Sequence, residues 1–375
     1  MTMISRLSLV VGLLASLTSS AGAQPKNPAG SDIHFSLDFS GVEMFWRVYD
    51  VLSQDREPAP SLWDALFATP GYAALEKREH KRKVLTEAFR LAYLPSNKDK
   101  IAAALVGDDF TSYILPHLLD VAAQRESLRT YETRLGSMEW LHQSLDRTQT
   151  LLPEGMINQH APPPISFVIF APDGRGYSDI IVVDILHLMK GFDPEGFFAH
   201  EFFHYYRRFF ETKYSPTKDE EPLLNILANA QEEGTADQLD KSSFPFLTEK
   251  ELRALVPDPQ ERAFIDSYRE YYAASSYWMG RVEAVLQDYA EGLKDASDNA
   301  RLLRKEIPID GRPLGAFMAH TILNIAGRPK LISVAGDPLG FWLLYNDTAR
   351  RSAGQAPILS EQAIGVISKM KSTSK

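Results

Sequence analysis

The stretch Phe198-Ala199-His200-Glu201-Phe202-Phe203-His204-Tyr205-Tyr206 constrains this chain more than any other. Its pattern is helical, and residues four apart share a helix face, so His200 and His204 aim their imidazoles at one point. Glu201 lies about 100° further round the helix. That offset makes it unsuited as a third ligand but lets it act as general base on a water at the metal. The helix is predicted to start at Asp193-Pro194-Glu195. There Asp is a favoured N-cap, Pro suits the first turn, and Glu complements the positive end of the dipole. It is predicted to run to about Lys213. Apart from the motif's polar residues and Arg207-Arg208, residues 197–210 are almost all apolar or aromatic, so the helix should be buried on most sides. Two imidazoles and a carboxylate are costly to bury there unless a divalent metal pairs with them.

The 375 residues include no cysteine, so a metal site must use His, Asp and Glu, and thiol catalysis is excluded. Two histidines need a further protein ligand to hold zinc. A third histidine at the spacing His-Glu-x-x-His-x-x-Gly-x-x-His is absent, because Arg207 replaces the glycine and Phe210 the histidine. The other source is a glutamate on a following helix. Such a helix is predicted from Glu221-Pro222 to about Asp240, and it contains Gln231-Glu232-Glu233-Gly234-Thr235-Ala236-Asp237. Glu233 and Asp237 share a face that Ile226 and Ala230 extend, which makes it the inward face. Glu233 is the expected ligand, with Asp237 accepting the free N–H of a ligating histidine. Glu232 is expected to point elsewhere, as a solvated or rim group. Gly234 costs about 1 kcal/mol relative to Ala inside a helix, which close approach of the two site helices would explain.

With these residues the chain resembles the gluzincin metallopeptidases, and more closely a bacterial family of zinc-dependent peptidases of uncharacterised function. The matching stretches are His200-Glu201-Phe202-Phe203-His204-Tyr205, Glu233-Gly234-Thr235-Ala236-Asp237-Gln238-Leu239-Asp240-Lys241 and Gly311-Arg312-Pro313-Leu314-Gly315-Ala316-Phe317-Met318-Ala319. Trp63-Asp64 and Thr69-Pro70-Gly71-Tyr72 match more weakly. The resemblance implies zinc, a peptidase-like fold, and a strand before the histidine helix that lines the cleft. The chain departs from the best-known gluzincins in the 28 residues between His204 and Glu233, a longer spacing that requires an insertion. Residues 213–221 (KYSPTKDEE) are polar and suit that loop.

The expected fold class is α+β, predominantly helical, with a small β-sheet beside the histidine helix. Residues 1–23 read as a signal peptide: one positive charge at Arg6, an apolar run over residues 7–17, and Ala21-Gly22-Ala23 with cleavage after Ala23. The run is too short to span a bilayer. The expected localisation is therefore secreted or periplasmic, with no stable membrane insertion after cleavage. Residues 24–155 form a helical region, marked by Val42, Phe45, Trp46, Tyr49 and Leu52 at helical spacing and by one helix over 132–152. Residues 156–245 form the metallopeptidase core. In it, Ile165-Ser166-Phe167-Val168-Ile169-Phe170 and residues 177–187 read as β-type runs, joined by a turn over 171–176. Residues 246–375 form a C-terminal helical region.

Other chemistries are disfavoured. The formal charge of −9 argues against nucleic acid as a partner. Gly174-x-Gly176 lacks the third glycine of a dinucleotide fingerprint, and no Gly-x-Ser-x-Gly elbow occurs. Gly136-Ser137-Met138-Glu139-Trp140 is similar to the Gly-x-Met-Glu-Asn loop of zinc aminopeptidases, but Trp stands where Asn is needed.

The expected function is an exported Zn2+-dependent metallohydrolase, a peptidase acting on a peptide or protein substrate. His200, His204 and Glu233 bind the metal and Glu201 is the base. Stabilising the oxyanion needs a Tyr, His or Arg donor; Tyr177, Arg312 and His320 are the candidates, and the sequence does not choose among them. The alternatives are a non-catalytic zinc-containing binding protein and a hydrolase of a non-peptide amide or ester. Glu201 favours an enzyme, since a purely structural site has no need of a base there. The oligomeric state is left open.

Overall fold

A computed structural model of the chain describes residues 33–372 except 108, 192, 257 and 353, so the predicted signal segment lies outside the described residues. The functional geometry depends on a small sheet of four strands: β1 (Leu37–Asp38), β2 (Ile165–Val168), β3 (Gly174–Gly176) and β4 (Ile181–Asp184), in the order β1-β2-β4-β3. Strand β2 runs parallel to both neighbours, with Ile165 opposite Leu37 on one side and Ile181 on the other. Strand β3 is the antiparallel edge, with Gly176 opposite Ile181. Every residue of β2 and β4 is buried, as expected for β-branched and aromatic runs in a parallel pair covered on both faces.

The sheet departs from the sequence expectation in two places. The predicted turn at 171–176 contains β3, whose two glycines carry no strand signal. The second β-type run stops at Asp184, because its carboxylate accepts from the N–H groups of Leu186 (2.9 Å) and His187 (3.0 Å) and so starts a helix, Ile185–Lys190.

Helices cover the sheet. Among the N-terminal ones, Ser40–Leu52 buries Val42, Phe45, Trp46, Val48 and Leu52. Phe45 packs edge-on against Phe89 (5.2 Å) and Tyr93 (5.8 Å). The helix predicted over 132–152 is two helices, Arg125–Leu135 and Glu139–Gln149, broken at residues 136–138. The second supports the histidine helix (Pro194–Arg207): Trp140 packs against Phe198 at 4.8 Å, and Thr148 Oγ1 donates to Ala199 O (3.1 Å). No described helix is long and apolar enough to cross a membrane.

The acidic helix (Glu221–Asp240) spans the predicted residues. Its close partner is the C-terminal helix Arg312–Ile325, the arginine helix, and not the histidine helix as the sequence suggested. A Cβ added to Gly315 would lie 1.7 Å from Ala230 O, and one added to Gly234 would lie 2.0 Å from Gly315 C. The two backbones touch, and only glycine fits at either position. Trp342, on the helix Pro338–Arg350, donates to Leu227 O (3.0 Å) and fastens the same helix from another side.

Gly315→Ala should therefore lower unfolding stability in urea by about 2–3 kcal/mol. Gly280 lies inside the helix Ser275–Glu291 with nothing within 4 Å of its added Cβ, so Gly280→Ala should raise stability by about 0.5–1 kcal/mol. Equal behaviour of the two variants would refute the backbone contact.

Candidate metal centre

Asp193 caps the histidine helix as predicted, accepting from Gly196 N (2.8 Å) while Arg147 Nη1 holds its other oxygen (2.8 Å). The helix ends at Arg207, short of the predicted Lys213. Thr212 N donates to Gly336 O (2.7 Å) and Arg207 Nε to Ala335 O (3.2 Å). These tertiary bonds draw the backbone away from its helical course. The polar insertion at 213–220 is free of helix and strand.

His200, His204 and Glu233 converge as expected. The Nε2 atoms of the histidines are 3.0 Å apart, and Glu233 Oε2 lies 3.5 Å from the first and 3.7 Å from the second. A tetrahedral zinc site with bonds of about 2.0–2.1 Å has ligand–ligand edges of about 3.3 Å, so these separations fit the ion.

Proton positions support the same fit. His200 Nδ1 donates to Asp240 Oδ1 (3.2 Å) and His204 Nδ1 to Glu232 Oε1 (3.0 Å). A carboxylate only accepts, so both Nδ1 atoms carry a proton and both Nε2 atoms are left as the positions that a metal can take. At 3.0 Å the two Nε2 atoms need positive charge between them, supplied by the second proton of an imidazolium in the metal-free protein and by the metal ion when one is bound. Glu233 Oε2, the oxygen that faces both histidines, also pairs with Arg312 Nη2 at 2.6 Å.

These contacts revise the supporting residues. Asp240, not Asp237, takes the His200 proton. Asp237 Oδ2 is occupied by the Tyr268 hydroxyl (2.8 Å), and its Oδ1 lies 3.1 Å from Lys241 Nζ and 3.5 Å from His200 Nδ1. Glu232, read from the sequence as a rim group, supports His204 and lies 3.4 Å from the buried Arg207. A sequence signal for Asp240 exists, since positions 233, 237 and 240 form one stripe of the helix. Glu232 has none, because its partner is set by how the two helices cross.

The electrostatics favour added positive charge. Burial and Lys241 depress the His200 pKa, but Asp240 and Glu233 outweigh them and raise it above its usual 6.5. Burial likewise opposes protonation of His204, yet Glu233 and Glu232 hold its pKa well above that value. Against burial, His204 and Arg312 hold Glu233 well below the usual carboxylate range. Against burial again, Lys241 and His200 hold Asp240 at about 2.

Glu201 is buried on the same cavity wall, and its carboxylate lies against the edge strand: a Cβ on Gly176 would meet Oε2 at 2.2 Å. Any side chain at 176 would displace the carboxylate. Arg312 follows three residues with positive φ, Ile309 (48°), Asp310 (52°) and Gly311 (83°), and this turn sets the guanidinium beside Glu233. Tyr177 lines the cavity but commits its hydroxyl to Glu79. His320 is not brought to the site. It lies beside Phe246 (5.1 Å) and is absent from the cavity wall, because its helix turns the Arg312 end and not the His320 face toward the metal triangle. The cavity measures about 1410 Å³ and reaches from the triangle to Lys190. Gly136-Ser137-Met138-Glu139-Trp140 takes no part in its lining.

A family model described as "Putative zinc dependent peptidase (DUF5700)" matches residues 63–354, and the chain belongs to that family. No curated protein and no solved structure matches the chain. The family is described as zinc dependent, and the donor set here fits Zn2+.

Zinc must displace the His204 proton to bind. Its affinity should therefore fall about tenfold per pH unit below the folded pKa of His204, with the decline starting above 6.5. A decline that starts only below 6.5 in a chelator-competition titration would contradict the electrostatics. In the metal-free protein the sign reverses: stabilisation by the imidazolium is complete below 6.5 and is lost as pH rises through the folded value. Glu232→Gln and Asp240→Asn should each weaken zinc binding by about 10–100-fold in the same titration.

Proposed function

We propose that the chain is an exported zinc-dependent peptidase of the gluzincin kind, with His200, His204 and Glu233 holding the ion and Glu201 as general base. The observation that carries this reading is the convergence of three donor atoms at tetrahedral edge lengths, on the cavity wall that also carries the Glu201 carboxylate. Membership of a zinc peptidase family supports it, and the signal-like residues 1–23 support export.

When bound, zinc supplies Lewis acidity, which polarises a carbonyl oxygen and makes water acidic near neutral pH. The remaining work falls to side chains. Glu201 takes the proton of the attacking water on its carboxylate and returns it to the departing nitrogen. Arg312 donates N–H to the carbonyl oxygen as negative charge grows there. Of the three donor candidates it alone stands beside the triangle with N–H groups beyond the one facing Glu233. Asp240 and Glu232 keep both Nδ1 atoms protonated, which leaves both Nε2 lone pairs for the metal. A peptide suits the cavity because β3, a sheet edge, lines it, and an extended chain can pair with such an edge.

Glu201→Gln should retain one zinc per chain and lower kcat/KM by about 10²–10⁴-fold on whichever members of a peptide library the parent cleaves. Hydrolysis that survives the change would remove Glu201 from the reaction. Bound zinc with no cleavage at any pH would make the protein a non-catalytic zinc binder, and cleavage confined to esters or non-peptide amides would change the substrate class.

A further inference from the structure

Five cationic side chains line the cavity, and carboxylates engage four of them. Arg175 pairs with Asp173 and Glu79, Lys190 with Asp120 and Asp258, Lys241 with Asp237 and Asp240, and Arg312 with Glu233. Arg208 is the fifth. Among the described residues no carboxylate lies within ion-pair distance of it.

Its placement is specific. Arg208 caps the C-terminal end of the histidine helix, four residues after His204 and eight after His200. It therefore continues the stripe that carries both imidazoles into the cavity. Its Cα lies about 6 Å beyond that of His204 along the axis, which is about two residues of an extended peptide. The guanidinium stands 4.0 Å from the centre of the Tyr205 ring and 4.8 Å from that of Phe209. Both rings are anchored: the Tyr205 hydroxyl donates to Ala161 O (3.0 Å), and Phe209 stacks on His160 at 3.6 Å. An aromatic platform holds the guanidinium while leaving its N–H groups unused, the arrangement that suits a planar, bidentate anion.

We infer that Arg208 receives a carboxylate of the substrate about two residues from the cleaved bond. The inference rests on the peptidase reading for the substrate's class. The carboxylate comes either from the peptide's C-terminus or from an Asp or Glu side chain. The first source would make the enzyme act near chain ends, the second would make it select acidic sequences.

The test uses the zinc-loaded full chain carrying Glu201→Gln, immobilised and exposed to a hexapeptide library made once as free acids and once as carboxamides, with retained peptides read by mass spectrometry. If the C-terminus is the source, free acids should be retained at least about tenfold over carboxamides. If a side chain is the source, carboxamides containing Asp or Glu should show the same margin over those containing Asn or Gln. Adding Arg208→Gln should bring the relevant ratio to about one, and Arg208→Lys should keep part of it. Zinc content and thermal midpoint confirm that each variant is folded. Retention indifferent to carboxylates in both arms overturns the assignment, as does a preference that survives Arg208→Gln. A parent protein that retains carboxylates through Arg208 but cleaves nothing would overturn the peptidase reading alone. One that cleaves without any carboxylate preference would overturn this assignment alone.

Discussion

Two imidazole nitrogens facing each other at 3.0 Å, with their protons directed outward to carboxylates, form the interaction that the rest of this structure serves. Without a proton or a metal ion between the nitrogens the arrangement is repulsive, and the His200 ring is buried. It persists because both ends of each ring are controlled. Asp240 and Glu232 set the tautomers, and Lys241 and Arg207 hold those carboxylates in turn. The acidic helix supplies Glu232, Glu233, Asp237 and Asp240, so its position along and around its own axis decides whether the site exists.

That position is fixed by backbone contact. Gly234 follows Glu233 directly and meets Gly315, while Ala230, one turn earlier, meets the same glycine. A helix held by touching backbones has less freedom to slide or roll than one held by long side chains. The tight pairing is therefore coupled to the metal geometry. The glycines carry no chemistry, yet they determine where the glutamate arrives. Gly176 does the same for Glu201, by leaving the space that the carboxylate occupies.

The parts of this arrangement that were legible in the sequence are local ones. Helical spacing places His200 with His204, and Glu233 with Asp237 on a shared stripe. Asp193-Pro194 marks a helix start by cap chemistry, and the structure bears this out. What the sequence concealed depends on elements far apart in the chain. Whether Asp237 or Asp240 takes the His200 proton depends on Tyr268, whose hydroxyl takes Asp237 Oδ2 while Oδ1 stays 3.5 Å from the ring, beyond the 3.2 Å of Asp240. The histidine helix stops early because residues 335 and 336 offer carbonyls to it. Gly234 signalled a close approach, but its partner is the arginine helix and not the histidine helix that the sequence suggested, and β3 was hidden because its two glycines carry no strand preference. His320 had a suitable functional group on the wrong face.

The turn at Ile309, Asp310 and Gly311 leads into Arg312 through three left-handed residues, two of them with side chains that disfavour it and Ile309 β-branched. Each of those two strained residues holds about 1–3 kcal/mol that the surrounding fold must balance. The molecule thus contains a place where robustness and precision oppose each other. Glycine at either position would relax the chain and harden the protein against heat, while giving the guanidinium beside Glu233 room to wander. An engineer who selects only for thermal tolerance should therefore recover changes in this turn early and find the resulting proteins durable but with the guanidinium loosely held.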